Sequence, residues 1–222
     1  MTLNIRIDHL VVLAPDLEAA RTAFTDAGFT ATPIARHSEA MGTANSCIML
    51  EGAYIEVMGM VNDTPANEGW RELLATGAGL KGIALASDDI DETAKMLEAK
   101  NIKADPPRHF SRPMPEGELR FSVIRLPRDL TPGLQCIYCQ HHTRDLLWTA
   151  DVMRHANGAH RIVAASAPGI DALQPFASAS GLPMSEAGEG SIVIAMREPV
   201  SIAHLAAIEA TSGILIEQRV LS

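Results

Sequence analysis

Five groups of residues in this chain are of types that do chemistry. His9 sits inside the apolar run "IDHLVVL", and Glu56 inside "YIEVMG". An arm between strands carries His37, Gly42, Thr43 and Asn45. A later segment, "PPRHFSRP", carries Arg108, His109 and Arg112, and "CIYCQHH" carries Cys136, Cys139 and His141. Side chains alternate along a strand, so Ile7, His9 and Val11 are expected on one face, and Tyr54, Glu56 and Met58 on another. If those faces line one concavity, an imidazole and a carboxylate converge. That pair suits a divalent metal, a metal-free acid–base or ligand-orienting role, or a buried structural hydrogen bond.

The other groups carry weaker versions of the same ambiguity. Gly-Thr-x-Asn offers backbone N–H groups, a hydroxyl and an amide, which suit a carboxylate or carbonyl oxygen, although Asn45 also suits a plain turn. Arg108 and Arg112 suit two-point grip on an anion, or a surface loop balancing charge. His141 is either a third metal ligand or a solvated strand end. Cys136 and Cys139 spell C-x-x-C, but the residues between them read as strand, which sends the two thiols to opposite faces and favours structural cysteines. His155, in "HANGA", reads as a solvated linker residue.

What must position these residues is a repeat. Shifted by 73 positions, the opening strand, acidic turn and helix fall without a gap on "LKGIALASDDIDETAKMLEAKNIKADPP": His9 on Gly82, Leu17 on Ile90, Phe24 on Leu97, Pro33 on Pro106. Asp16 and Asp88 or Asp89 stand where a helix N-cap belongs, and Gly28 where the first helix must stop. More strand follows each copy, so the unit reads as βαβββ. "AHRIVAASAPGIDALQPFASASGLP" is a fainter third copy, its helix interrupted by Pro175. The expected fold is α+β: modules at 1–75 and 76–145 forming a concave mixed-sheet cavity, then a linker helix and a third, partial module at 146–222.

The net charge of −9 argues against nucleic acid and leaves small molecules or proteins as partners. No apolar run approaches the ~18 residues of a membrane span. The opening "MTLNIRID" lacks a secretory pattern and three cysteines form no framework, so a cytoplasmic setting is expected. A half-module leaves an apolar face to pack on the first two modules or on a second subunit, and a homodimer is expected.

A tandem βαβββ opening with "IDHLVVLAPDLEAARTAF" resembles the vicinal oxygen chelate superfamily, which includes glyoxalase I and the extradiol dioxygenases. "RHSEAMGTANSCIMLEGAYIEVMG" and "HANGAHRIV" resemble its glyoxalase-like domain proteins. The resemblance implies a metal held by ligands from the first and last strand of each module. Here those positions are His9 and Glu56 in the first module, but Gly82 and Ile137 in the second. Half the ligand set is therefore missing, and a typical glyoxalase I is not expected. The resemblance implies either one divalent metal (zinc, iron, manganese or nickel) on His9, Glu56 and His141, or none. It implies an enzyme of lyase, isomerase or dioxygenase type acting on a small oxygenated, anionic metabolite. His9, Glu56 and His37 would do the chemistry, and Thr43, Asn45, Arg108 and Arg112 would bind substrate. A non-catalytic protein that sequesters a small molecule is the alternative.

Overall fold

The structure is a computed structural model, and it describes residues 1–114 and 116–221. The chain opens with β1 (Thr2–Ile5), then enters the first module: β2 (Ile7–Leu13), α1 (Leu17–Asp26), β3 (Ala35–Arg36), β4 (Thr43–Met49) and β5 (Tyr54–Met60). After α2 (Glu68–Ala75) comes the second: β6 (Gly79–Ala86), α3 (Ile90–Ala99), β7 (Arg108–Met114), β8 (Gly117–Arg125) and β9 (Gln135–His141). The C-terminal part is β10 (Arg161–Ala167), β11 (Leu182–Glu186), β12 (Ser191–Met196), α4 (Ile202–Ser212) and β13 (Leu215–Val220).

The two modules share one eight-stranded sheet in the order β3-β4-β5-β2-β6-β9-β8-β7. Its centre is the antiparallel pair β2–β6, and the order reads outward identically on both sides, as a twofold repeat requires. One face carries the main core. Leu10, Val12, Ile55, Val57, Ile83 and Cys136 point into it, with Phe24 from α1 and Leu97 from α3. Asp16 caps α1 by accepting from the Ala19 N–H, and Asp89 caps α3 by accepting from Asp91 and Glu92.

The opposite, concave face is closed at two places. Trp70, Leu73 and Leu74 of α2 pack on Val11, Leu13 and Met58. Leu147, Trp148, Val152 and Met153 pack on Cys47, Met49 and Tyr54. A polar strip of side chains lies between these apolar plugs.

The C-terminal strands form a second sheet, β1-β11-β10-β12-β13. Three sequence expectations change here. The apparent single opening strand divides at Arg6, and β1 pairs with β11 of the second sheet. The linker expected to be helical contains only a single 3-10 turn, Arg144–Leu146, followed by turns. The apolar face of the third unit packs on the modules, the first of the two coverings expected for it: Ile162, Ile192, Ile194, Met196 and Ile208 join the main core. The helix of the third unit is a 3-10 segment, Ile170–Phe176, containing Pro175, which cannot donate to an α-helical ladder. Among the described residues no helix is long and apolar enough to cross a membrane.

Candidate active site

Register brings the first-module residues together. His9 pairs with Tyr54, and Cys47 with Glu56, so neighbouring strands place His9, Glu56 and Asn45 on the concave face. His9 Nε2 lies 3.3 Å from Glu56 Oε2, and Asn45 donates to Glu56 Oε1. The imidazole stacks on Tyr54 with ring centroids 4.5 Å apart. All of His9, Glu56 and Tyr54 are buried.

His37 approaches from the arm, its Nε2 3.9 Å from Glu56 Oε1. Thr43 fixes it twice: the His37 N–H donates to the Thr43 carbonyl, and Nδ1 lies 2.7 Å from Thr43 Oγ1. Gly42 makes this arm possible. Its φ is +59°, and a Cβ there would lie 2.4 Å from the Asn62 carbonyl oxygen. Asn67 then pins the arm by donating to the carbonyls of Met41, Gly42 and Asn62.

Asp8 is the residue that sequence reasoning missed. Strict alternation puts it on the face opposite His9. A bulge between Ile7 and His9 in the β2–β6 ladder removes that alternation, and Ile7 packs in the main core rather than beside Val11. His9 Nδ1 donates to Asp8 Oδ1 at 2.7 Å, and His141 Nε2 reaches the same oxygen at 3.1 Å. Arg144 lies 3.7 Å from Asp8 Oδ2 and stacks over Trp148 at 3.5 Å.

These contacts set the charges. Burial alone would push His9 down, but hydrogen bonds to Asp8 and Glu56 outweigh it and raise it to about 9. Burial would likewise raise Glu56, yet His9 beside it brings it down to about 2. Asp8 is held well below the usual carboxylate range by His141 and His9, against its burial. His9 is therefore an imidazolium between two carboxylates at neutral pH. His37 differs: burial lowers it most, Arg112 adds to that, and Glu56 only partly offsets them. It is the neutral imidazole of the group.

The remaining expected residues are dispersed. Arg112 is half-buried and its charge reaches His37 and Cys47. Arg108 is exposed, 3.9 Å from Asp105, on the same face of the edge strand β7. His141 is neither solvated nor against Glu56; it is buried on Asp8 and packed against Trp148. His142 bonds Ser122, which His109 also engages. His155, expected in solvent, is buried and structural: Nδ1 accepts from the Thr30 N–H and Nε2 donates to the Met49 carbonyl. Cys136 faces the main core and Cys139 the opposite side near Asp8, and burial pushes both thiols up.

The vacant second-module positions have physical reasons. A Cβ on Gly82 would lie 2.7 Å from the Trp70 ring and 2.9 Å from Val11 Cβ, so the α2 plug occupies the ligand's place. Ile137 pairs with Ala84, extending an apolar floor.

Two donor sets bear on a metal. Asp8, His9 and Cys139 are buried with ligand atoms within 4.8 Å of one another. Their chemistry does not fit an ion: the Asp8 oxygens already serve His9, His141 and Arg144, and burial keeps the Cys139 thiol protonated. His9 Nε2, Glu56 and His37 Nε2 are spaced more nearly as ligands, provided the ion displaces the proton His9 carries at neutral pH. Two ligands about 2.1 Å from one ion stand roughly 3.0–3.4 Å apart, close to the 3.3 Å found and somewhat under the 3.9 Å.

No curated protein matches this chain in sequence. A hypothetical protein from Staphylococcus aureus shares the fold with a TM-score of 0.73 at 12% identity, over 97% of this chain and 99% of that one. A methylmalonyl-CoA epimerase in complex with methylmalonyl-CoA and NH4+ matches with a TM-score of 0.50 at 19% identity, over 63% of this chain and 96% of its own. At these identities the likeness is one of fold. The sequence profile of a glyoxalase-like domain matches residues 7–180. That span takes in both modules and the start of the third unit, and it makes the chain a member of the glyoxalase-like domain family, within the vicinal oxygen chelate superfamily.

Proposed function

We propose that this protein is an enzyme that moves a proton next to a carbonyl in a small anionic metabolite, an isomerase- or lyase-type reaction. The observation that carries this reading is the placement of a neutral imidazole, His37 Nε2, 3.9 Å from the ionised Glu56 carboxylate in a largely buried site. A neutral imidazole can take a proton at pH 7, and the carboxylate beside it stabilises the imidazolium that forms. Thr43 orients the ring from Nδ1. Arg112 supplies positive charge where an enolate or carboxylate oxygen would collect it. His9 and Asn45 hold Glu56 in place and keep it ionised.

A divalent ion, where bound, would be held by His9, Glu56 and His37 in place of the His9 proton, and the ion, rather than His37 as a base, would then act by polarising a substrate oxygen.

The rest of the substrate would lie on the second module. His9, Ala84, Ile137 and Arg125 are successive register partners across β2, β6, β9 and β8. Three strand spacings separate the two ends by about 14 Å. Between them the floor is apolar, and at the far end Arg125 feels Asp105 first and then Arg108 and Arg128, a group with more cations than anions. This arrangement supports a substrate with an oxygenated head at Glu56, an apolar body and an anionic end.

The test is catalysed exchange of α-protons with D2O, followed by NMR over a panel of 2-oxo, 2-hydroxy and malonate-type acids. Exchange of at least one, lost in His37→Ala and Glu56→Gln, is expected. Tight stoichiometric binding with no exchange and no turnover would instead support sequestration.

A further inference from the structure

The two sheets meet across a second cleft, about 960 Å³ in volume, distinct from the concave strip around Glu56. Four guanidinium groups line it: Arg6, Arg144, Arg161 and Arg219. Each carboxylate in its wall already has a partner. Asp88 meets Arg6 at 2.9 Å, Glu51 meets His160 at 2.8 Å, and Asp8 holds His9 and His141. Arg161 and Arg219 make no ion pair or side-chain hydrogen bond among the described residues.

Their placement is not scattered. Arg161 on β10 and Arg219 on β13 are both register partners of Ala195 on β12. They therefore leave the same sheet face, one strand to either side of an alanine, with backbones roughly 10 Å apart. Two long side chains can close that gap over a residue too small to fill it. Like charges so placed repel, and a chain with 27 acidic and 18 basic residues had ample means to pair them. His141 lines the cleft too, 3.1 Å from Asp8, so the floor beneath the arginines is polar.

We infer that this cleft binds a phosphorylated small molecule, its phosphate bridged by Arg161 and Arg219. One bidentate guanidinium takes the only oxygen–oxygen edge of a carboxylate, whereas the three terminal oxygens of a phosphate give each of two forks an edge of its own. Val163, Leu182 and Pro183 give an organic body apolar surface to cover. Arg144, on the same wall, stacks on Trp148, so occupancy should register in that indole. The inference does not depend on the reading of His37 and Glu56.

The experiment is a titration of the full chain with phenyl phosphate, inorganic phosphate and benzoate. It is read by calorimetry on the native protein and by Trp148 fluorescence in a Trp70→Phe background. Saturable binding of phenyl phosphate is expected, with weaker inorganic phosphate and no benzoate. Arg161→Gln and Arg219→Gln, both at exposed positions, should each weaken it about tenfold or more. Three results would overturn the inference: no saturation by ~10 mM phenyl phosphate in either readout, unchanged affinity in the arginine variants, or benzoate binding as tightly as phenyl phosphate.

Discussion

His9 Nε2 stands 3.3 Å from Glu56 Oε2 while its Nδ1 donates to Asp8 at 2.7 Å, so one buried imidazole is held between two carboxylates. Charging His9 is favoured only in the folded state. Its value rises from 6.5 to about 9, so the stability it contributes is fully present below pH 6.5 and is lost as pH rises through 9. Glu56 falls from 4.5 to about 2, so its contribution is present above pH 4.5 and is lost as pH falls through 2. Either shift is on the order of 3 kcal/mol, and both describe one ion pair, so they count once. Denaturant melts at pH 7 and 9.5 should show the native protein losing stability with rising pH, and His9→Gln losing little. Equal pH dependence in the two would refute the assignment.

Asp8 is expected to act through His9 rather than on substrate. Asp8→Asn removes the charge that keeps His9 protonated, and should lower the His9 titration midpoint by about 1 unit or more in NMR. It should also slow catalysis without abolishing binding. A midpoint unchanged by the substitution would show that Glu56 alone sets His9.

Gly82 occupies the position where the superfamily pattern calls for a ligand. Gly82→His should not restore one, because Trp70 fills the space that even a Cβ would need. Overpacking at such a site costs roughly 1–3 kcal/mol. Gly82→His in a Trp70→Ala background should recover part of that loss. A native-like melting temperature for Gly82→His alone would contradict the packing.

If a divalent ion binds, elemental mass spectrometry should find it dependent on His9, Glu56 and His37 and independent of Cys139. Metal retained in Glu56→Gln but lost in Cys139→Ser would point to the Asp8 group instead.

Much of the fold was legible because the repeat is periodic. The strand alternation, the N-caps at Asp16 and Asp89 and the 73-residue shift are local patterns with local causes. The pairing of His9 with Glu56 followed from matching places in that pattern. What escaped was non-local or aperiodic. The bulge at Asp8 breaks alternation without any glycine or proline to announce it. The α2 plug over Gly82 depends on a helix between modules, outside the repeat. His141 and His155 looked like strand-end and linker residues. The first is buried by Trp148 folding back across the sheet, and the second by Thr30 and Met49, which are more than 100 positions away in sequence.

The central claim is that His37 is a neutral base working beside ionised Glu56. Its most direct test is the pH profile of α-proton exchange for the best substrate of the panel. Activity should rise through a pKa below 6.5 that is absent from His37→Ala, and decline near 9 as His9 loses its proton. A profile unchanged by His37→Ala, or exchange that persists undiminished in Glu56→Gln, would contradict the account.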